Sequence, residues 1–567
     1  MQEKLTYNHT LSSLLTIRSS VGTSTKWVWW LWCTALVVAF FIQLLTLDVL
    51  PHLQQDEAQI TDYGRLALDP HSDWSVTWRV AEDKPLLLWS YIGPLIAEVS
   101  FQLGGPSGLG PRIASLLGGS IAATMALGWL LARRVPVYAA FGLSLAFLLD
   151  PLFVLSQRMA RIDSWVIALC LAACWILHSA SKRGSESIPK RSIMVAGALA
   201  ASAALVWPSA IFLYPLVVLE LVVLSISKEK GNHKWKTTAL LGLYFFSGGL
   251  TAVVLLLLPV WESLVMLYND MATMVTQNID ASRSFQSRLL GLFNYQLWIK
   301  MLKALVKTFS PLFPILALAG LIFYRHKGLL LASVITIAMI FATLVYEFRV
   351  LYLLPYFLAL GSGIFLRAAE NPTNMSLQKI CAVTLIILMT WSVGTSLFLR
   401  TGLGLEGKEA RSRSRIQHIA ASSIGAGNYK VLLGFTYEFY FAGRALGWKV
   451  YTPYIQYAYD AEGNWIREKD YQPNDKFLIL LSDMDFAVFA QGAITHELKE
   501  QLTASGLHYS STLETGDGNT GEVVPELQSR NKSVLLWFLQ GKESYGPYVL
   551  YSRAKNINNS KLSVASE

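Results

Sequence analysis

Residues 27–50 read WVWWLWCTALVVAFFIQLLTLDVL, and residues 51–59 continue as PHLQQDEAQ. The first stretch is long and apolar enough to cross a bilayer, which needs about 20 apolar residues. No small-residue cleavage site follows it, so the pattern predicts a retained membrane helix and not a cleaved signal peptide. The second stretch places two adjacent carboxylates, Asp56 and Glu57, directly after that helix.

The composition predicts that this helix is one of many. The chain has 567 residues, of which 53% are hydrophobic and 15% are charged, whereas about 25% of a soluble protein is charged. The formal net charge is +9. No basic stripe or nucleic-acid motif accompanies it, so nucleic acid is not a predicted partner. The four cysteines lie in apolar runs without a CxxC pattern and are interpreted as small core residues.

About eleven apolar runs are candidates for membrane helices. They lie near Trp27–Leu50, Arg112–Leu131, Val137–Ser156, Ser164–Ser179, Ile193–Val206, Ser209–Leu224, Thr238–Trp261, Leu297–Phe323, Gly328–Tyr346, Leu351–Leu366 and Ile380–Leu399. If the N-terminal segment 1–26 is cytoplasmic, every inner loop is basic, as the positive-inside rule requires. The odd number of spans then places the C-terminal region outside.

The first external loop, residues 51–111, is unusually long. Its apolar stretch Lys84–Leu103 would reverse the sides of all later loops if it crossed the membrane, and Arg133 and Arg134 would then lie outside. We therefore predict that this stretch forms a membrane-surface or partly inserted helix.

The composition changes after Arg400, where Gly, Asn, Asp, Glu and Ser become more frequent and long apolar runs stop. Short β-like runs alternate with helical stretches, which predicts a soluble α/β domain over residues 400–567. The predicted strands are Val431–Phe435, Lys449–Thr452, Phe477–Leu481, Ser533–Leu539 and Tyr548–Ser552, and the predicted helical stretches are Glu438–Leu446 and Phe486–Ser505. The predicted fold class is an α-helical polytopic membrane protein, with its membrane part at residues 27–399 and this α/β domain at its C-terminus.

The acids of the first external loop are candidates for general-base catalysis. A carboxylate that meets an acceptor hydroxyl or amine can take its proton. Asp83 and Lys84 follow at the start of the apolar stretch, where a lysine can hold a phosphate as a point charge. Solvation of the acids and snorkelling of the lysine are the alternatives for each residue alone.

Further charged and aromatic residues lie in the later external loops: Arg158, Arg161, Asp163, Arg283, Arg349 and Tyr352. Arginines on the outer face run against the positive-inside pattern. Their convergence with acids and an aromatic residue predicts a site for an anionic ligand such as a phosphate. Helix N-capping is the alternative role for Asp163.

Four motifs in sequence order resemble those of a known family. They are Asp56-Glu57 followed by Tyr63-Gly64-Arg65-Leu66, then Asp83-Lys84-Pro85-Leu86, then Pro111-Arg112-Ile113-Ala114-Ser115, and finally Asp163 combined with Tyr352-Leu353-Leu354-Pro355. In these motifs the chain resembles the GT-C superfamily of membrane glycosyltransferases, in the branch of the protein O-mannosyltransferases and lipid A aminoarabinose transferases. The resemblance covers about Trp27–Leu399.

The resemblance implies transfer of a hexose or pentose, with inversion, from a polyprenyl-phosphate donor to a protein, lipid or glycan acceptor. It implies that Asp56 is the base and that Asp163 is a second catalytic acid, which orients the acceptor or a site cation. Lys84, Arg158 and Arg283 would hold the donor phosphate, and Tyr352 would line the donor pocket. Glu57, Asp83, Arg161 and Arg349 complete the predicted substrate-binding set. The predicted location is the bacterial plasma membrane, with the site and the C-terminal domain outside.

Departures from the family pattern leave other interpretations open. Gln59 stands where the family often has an arginine, and Trp207-Pro208 replace a lysine. The loop Asn278–Arg288 lacks the family's histidine, so no metal site is predicted, although a divalent cation stays open as a cofactor. The alternatives are an inactive GT-C homologue, a membrane transporter or lipid flippase, and a receptor-like protein whose outer domain binds.

Overall fold

The computed structural model describes residues 25–49, 51, 53, 55–69, 90–105, 107–182, 189–228, 234–259, 295–296, 298–299, 312–324, 326–342, 347–406, 408, 412–434, 436–451, 481–515 and 546–553. Three predicted site residues, Asp83, Lys84 and Arg283, lie outside these ranges.

A bundle of apolar helices makes up most of the described chain. Its helices are α1 (Thr25–Leu44), α4 (Leu109–Ala132), α5 (Val137–Leu148), α6 (Pro151–Arg158), α7 (Asp163–Lys182), α8 (Lys190–Val206), α9 (Tyr214–Lys228), α10 (Lys234–Leu257), α11 (Leu312–Tyr324), α12 (Lys327–Ala342), α13 (Glu347–Val350), α14 (Leu354–Glu370), α15 (Met375–Val393) and α16 (Arg400–Glu406). Between α1 and α4 the chain forms α2 (Gln55–Leu68) and α3 (Ile92–Gly104). One continuous hydrophobic core joins the bundle helices.

Seven helical stretches of the described residues are long and apolar enough to cross a membrane, which agrees with an integral membrane protein. The α5–α6 pair, bent by 49°, would be an eighth if it is one broken span, and α11 and α12 are shorter apolar helices. Each of the eleven apolar runs predicted from the sequence overlaps a described helix.

The bend between α5 and α6 has a local cause. The Asp150 carboxylate accepts hydrogen bonds from the amides of Leu152 at 3.0 Å and Phe153 at 3.3 Å, so it caps a new helix. Pro151 at the first helical position has no N–H to continue the preceding helix. The sequence predicted one apolar run over Val137–Ser156, whereas in the structure a new helix begins at Pro151. This second helix, α6, ends at Arg158.

Helices α2 and α3 do not belong to the set of spanning helices and pack against each other beside α4. Gly64 of α2 faces the Pro94 carbonyl of α3 so closely that a Cβ at this position would lie 2.0 Å from that oxygen. Most of α2 is buried although it carries several charges. The predicted surface helix Lys84–Leu103 is described only in its later part, where it is α3.

A cluster of buried charged residues lies at the end of α4 that is opposite to α2 and α3. Glu220 of α9 accepts hydrogen bonds from the Trp129 indole and the Arg133 guanidinium, both at 2.9 Å. His178 Nδ1 lies 2.7 Å from the other oxygen of Glu220. These contacts tie α4, α7 and α9 together far from the acids of the first loop.

The C-terminal unit, residues 412–553, contains a five-stranded sheet of order β2-β1-β3-β5-β4. Its elements are α17 (Arg413–Ser423), β1 (Lys430–Gly434), α18 (Phe439–Ala445), β2 (Lys449–Tyr451), β3 (Phe486–Ala490), α19 (His496–Ala504), β4 (Leu507–Leu513) and β5 (Tyr548–Arg553). Strand β1 is parallel to β2 and β3, and β5 is antiparallel to β3 and β4.

Three predicted strands of this unit coincide with β1, β2 and β5. The remaining two, Phe477–Leu481 and Ser533–Leu539, lie outside the described residues except for Leu481. The predicted helical stretch Phe486–Ser505 was wrong at its beginning, because Phe486–Ala490 is the central strand β3. A short buried apolar run such as FAVFA fits a helix or a strand equally well, and pairing with β1 and β5 decides between them.

The C-terminal unit and the segment between α1 and α4 share one hydrophobic core. Leu53, Ala58 of α2 and Phe101 of α3 are buried in the same cluster as residues of α17, α18 and the sheet. The rings of Phe101 and Phe441 lie 5.2 Å apart. The C-terminal unit therefore packs on the same end of the bundle as Asp56 and Glu57.

Candidate functional site

A charged network lies where α2, the α6–α7 turn and the short 3-10 turn Leu351–Leu353 before α14 meet. Arg161 donates to Asp56 Oδ2, and its Nε donates to Asp163 Oδ2 at 2.7 Å. The Tyr352 hydroxyl donates to the other carboxylate oxygen, Asp163 Oδ1, at 2.6 Å. We call these four residues the Asp56 network. The structure thus brings together four of the site residues predicted from three separate loops.

The two acids of the Asp56 network differ in exposure. The Asp56 side chain is 40% exposed, whereas the Asp163 side chain is 1% exposed. Asp163 stands in the first turn of α7, beneath Arg161 and beside the buried Tyr352. A reactant that arrives from outside the protein therefore meets Asp56, while Asp163 holds the arginine that contacts it.

Arg161 is itself fixed from several sides. Its guanidinium carbon lies 3.9 Å from the ring centroid of Phe348 in α13, a cation–π contact. Its backbone carbonyl accepts a hydrogen bond from the Ser115 hydroxyl of α4 at 2.5 Å. The preceding residue, Ala160, has φ of 51° and turns the chain sharply between α6 and α7. The position of Arg161 relative to Asp56 is therefore set by α4, α13 and this turn.

Glu57, next to Asp56 in sequence, has a different environment. It is fully buried and accepts hydrogen bonds from Arg112 Nε at 2.8 Å, from Arg112 Nη2, and from Arg413 Nη2 at 2.8 Å. We call Glu57, Arg112 and Arg413 the Glu57 junction. Burial alone raises the pKa of Glu57, but the charges and hydrogen bonds of the two arginines outweigh it and hold the pKa below its usual value. The predicted substrate-binding role of Glu57 would require that it leave both arginines.

Arg158, predicted to hold a phosphate, is 1% exposed at the end of α6. Its guanidinium donates to the backbone carbonyls of Gln43 at 2.8 Å and Thr46 at 2.5 Å, and to the Thr46 hydroxyl at 3.1 Å. These bonds tie α6 to the end of α1. Arg349, in contrast, is half-buried in α13, one turn before Tyr352.

Several partners in this region were not assigned a role from the sequence. Arg112 and Ser115 stand in the Pro111–Ser115 motif, which signalled them without indicating their contacts. Phe348 stands in the aromatic and cationic segment around Arg349 and Tyr352 but was given no role there. Arg413 carried no signal, because it acts on a residue far away in the chain: it lies 356 residues from Glu57.

The acids of the site do not form a metal cluster in the part of the chain that the structure describes. No group of three or more His, Cys, Asp and Glu residues there could hold a metal ion. Between Asp56 and Asp163 stands the Arg161 guanidinium.

Among known proteins, the chain is similar to several solved structures. No family model matches the sequence, and no curated protein matches it. The chain is similar to ArnT from Cupriavidus metallidurans bound to undecaprenyl phosphate, with a TM-score of 0.49 and 14% identity over 86% of this chain and 97% of that one. It is also similar to the arabinofuranosyltransferase AftD from Mycobacteria, with a TM-score of 0.46 and 14% identity over 94% of this chain and 42% of that one. Similarity to the Archaeoglobus fulgidus oligosaccharyltransferase in complex with Zn and sulfate gives a TM-score of 0.39 and 13% identity, over 84% of this chain and 72% of that one.

Proposed function

We propose that this protein is a membrane glycosyltransferase that moves a sugar from a polyprenyl-phosphate donor to a hydroxyl or amine acceptor at the Asp56 end of the bundle. The observation that carries the proposal is the Asp56 network. It presents one accessible carboxylate that an arginine, a second carboxylate and a tyrosine hold in place. The order of motifs described above supports the same activity.

In this proposal Asp56 is the general base. The acceptor oxygen or nitrogen forms a bond to the anomeric carbon while the bond from that carbon to the phosphate oxygen breaks. The acceptor proton passes to Asp56, and the polyprenyl phosphate leaves with the electron pair. One displacement inverts the configuration of the sugar. Because the polyprenyl phosphate is already a good leaving group, positioning and charge stabilisation supply much of the catalysis.

Asp163, Arg161 and Tyr352 orient the base in this scheme. Asp163 accepts from Arg161 and from Tyr352, so the guanidinium cannot turn away from Asp56 without losing a buried ion pair. Side chains locked in this way keep a reacting group within a fraction of an ångström of its productive position. Asp163 is thus proposed as a positioning acid, since it is buried beneath the arginine.

The donor phosphate is proposed to bind cations of the same end of the bundle. Arg349, one of the predicted substrate-binding residues, is half-buried in α13 and is proposed to contact the phosphate. Lys84 and Arg283 stay in the proposal through the family resemblance. Arg158 is proposed to brace α6 against α1, because its donors already serve backbone carbonyls.

The proposed side of the membrane follows from the basic loops. The opposite end of the bundle carries Arg133 and Arg134 after α4, Lys182 at the end of α7, and Lys190 and Arg191 at the start of α8. The Asp56 end is therefore proposed to face the non-cytoplasmic side, as in a bacterial plasma membrane. Sugar and acceptor would meet there beside the C-terminal unit.

Asp56→Asn tests the proposal. We expect this variant to fold normally and to lose transfer by about 10²–10⁴-fold, because an amide cannot take the acceptor proton. The measurement is transfer of radiolabelled sugar from a panel of polyprenyl-phosphate sugars by purified protein. The matched control is Asp69→Asn, which removes an exposed carboxylate at the other end of α2 and should retain turnover. Turnover of Asp56→Asn near that of the wild type would remove Asp56 as the base.

A further inference from the structure

An arginine of the C-terminal unit reaches out of that unit into the first external loop. Arg413 is the first residue of α17, after the N-cap Ser412. Its Nη2 donates to Glu57 Oε2 at 2.8 Å, and its Nη1 donates to the carbonyls of Gly108 at 2.6 Å and Ser107 at 3.3 Å. One guanidinium therefore joins α17, the first turn of α2 and the chain that enters α4.

The chain around Gly108 is shaped to admit this guanidinium. Gly108 has φ of 67°, in the left-handed region that favours glycine. A Cβ at this position would lie 2.8 Å from Arg413 Nη1 and 2.4 Å from the Phe441 ring. The Arg413 guanidinium also stands 5.3 Å from the centroid of that ring. The site that receives Arg413 is thus built from both parts of the molecule.

Fixing Glu57 fixes the direction of Asp56. The two acids are successive residues in the first turn of α2, and successive side chains of an α-helix are about 100° apart around its axis. Arg112 holds the Glu57 carboxylate from α4, and Arg413 holds it from the C-terminal unit. With Glu57 held at two points, the first turn of α2 cannot rotate, and Asp56 stays directed at Arg161.

We propose that Arg413 is a positioning residue of the glycosyl-transfer site, which acts through Glu57 to set the orientation of Asp56. The inference rests on the function proposed above for Asp56. It gives the C-terminal unit a definite part in the reaction, because this unit supplies one of the two cations that orient the helix bearing the base.

We expect that loss of Arg413 reduces turnover strongly and leaves the protein folded. Arg112 still pairs with Glu57 through two nitrogens, so the buried carboxylate keeps a counter-charge. The C-terminal unit also keeps its other contacts with the loop. Arg444 binds both oxygens of Glu98, at 2.6 and 2.8 Å, and Tyr440 donates to Asp62 Oδ1 at 3.2 Å.

The experiment compares Arg413→Gln with Arg444→Gln in the purified full-length protein. Both variants remove one ion pair between the C-terminal unit and the loop, but only Arg413 touches the residue next to Asp56. For Arg413→Gln we expect kcat to fall about tenfold or more with donor and acceptor KM little changed, since a misplacement of about 1 Å can cost about 10²-fold. Arg444→Gln should lower the thermal unfolding temperature and keep the wild-type kcat. Wild-type kcat in folded Arg413→Gln, or an equal loss of kcat in both variants, overturns the proposal.

Arg413→Lys tests the positioning role of Arg413 if Arg413→Gln does not accumulate as folded protein. A lysine keeps the charge but cannot contact Glu57 and the Gly108 carbonyl with one planar fork. A kcat below that of the wild type with unchanged KM supports the positioning role, and a wild-type kcat overturns it.

A second measurement is independent of turnover and separates this proposal from the function it rests on. Asp56→Cys is placed in a Cys33→Ser background, because Cys33 is the exposed cysteine among the four, and its labelling rate with a maleimide is followed. We expect faster labelling with Arg413→Gln than with Arg413 or with Arg444→Gln, because the first turn of α2 is released. Equal rates overturn the role of Arg413 even if the wild type consumes no donor, whereas lack of turnover with an altered labelling rate refutes only the proposed function.

Discussion

At the scale of single residues, two adjacent carboxylates acquire opposite environments from one turn of helix. The Asp56 side chain is 40% exposed and pairs with Arg161, whereas Glu57 is fully buried and pairs with Arg112 and Arg413. A buried carboxylate is stable only when it is paired and hydrogen-bonded. The Asp56-Glu57 pair therefore separates into an accessible acid and an anchoring acid.

Tyr352→Phe tests whether the hydroxyl that donates to Asp163 matters for the reaction. Losing a buried hydrogen bond to a charged group costs about 1.5–3 kcal/mol, and a loosened Asp163 lets Arg161 move. We expect lower thermal stability together with a loss of kcat. Tyr356→Phe is the control, since Tyr356 lies four residues further along the chain, in α14, and its hydroxyl donates to the Phe212 carbonyl at 2.9 Å. Equal kcat in both variants would argue against a role of Tyr352 in orienting the network.

The Glu57 junction predicts acid sensitivity of the fold. The pKa of Glu57 is held below its ordinary value of 4.5, so the unfolded chain takes up this proton first as the pH falls. The stability that the junction contributes is fully present above pH 4.5 and is lost as the pH falls through the depressed folded pKa. Thermal unfolding of the wild type and of Glu57→Gln, followed from pH 7 downward, should show the difference between them shrinking below pH 4.5. A difference that stays constant across that window would contradict the assignment.

At the scale of helices, close backbone approach sets the position of α2. Gly64→Ala places a Cβ 2.0 Å from the Pro94 carbonyl of α3, and backbone atoms cannot yield as a side chain would. We expect a loss of about 1–3 kcal/mol of unfolding free energy, the usual cost of overpacking, together with reduced turnover as α2 shifts. The control is Gly242→Ala in α10, where nothing lies within 4 Å of the added carbon. That variant should be neutral or slightly stabilised, since alanine favours a helix over glycine by about 0.5–1 kcal/mol. Similar losses in both variants would contradict the conclusion that close backbone approach at Gly64 sets the position of α2.

The sequence predicted the helices of the bundle far better than the breaks within them. Long apolar runs indicate helices by their length, so each predicted run overlaps a described helix. The restart at Pro151 depends on how one carboxylate is used, because Asp150 could equally be solvated at a helix end. Strand β3 was mistaken for a helix for a related reason, since its partners β1 and β5 lie far from it in sequence.

Prediction of the candidate site divides in the same way. Asp56, Arg161, Asp163 and Tyr352 were each singled out from their place at the end of an apolar run. In the structure Arg161 donates hydrogen bonds to Asp56 and Asp163, and Tyr352 donates one to Asp163. The difference in burial between Asp56 and Glu57 could not be predicted from the sequence, because Arg413, which pairs with the buried Glu57, belongs to the C-terminal unit. Arg158 stood in the same loop as Arg161, but only three-dimensional contacts show that it bonds to carbonyls of α1.

At the scale of the whole molecule, the contacts of Arg413 place the C-terminal unit and α2 at one end of the bundle. Helix α4 has 24 residues and is about 36 Å long at 1.5 Å per residue, which is long enough for its two ends to reach opposite faces of a membrane.

Single cysteines at Asp69 and Lys499 are therefore expected to react with a membrane-impermeant maleimide from the same side, and a cysteine at Arg134 from the other. All three residues are exposed, and Cys33→Ser provides the background. The measurement is labelling of sealed vesicles of known orientation. Labelling of Asp69→Cys and Arg134→Cys from one side would contradict the arrangement of α4.

The core shared by Leu53, Ala58 and Phe101 with the C-terminal unit also has a consequence for how the chain is made. A ribosome finishes the first loop long before it reaches Arg413, which lies 356 residues beyond Glu57. During that interval the apolar faces of α2 and α3 lack the cover that the C-terminal unit provides, and Glu57 lacks the counter-charge of Arg413. A later part of the chain thus completes the packing of an earlier one, and a nascent chain that ends before α17 leaves these apolar faces uncovered.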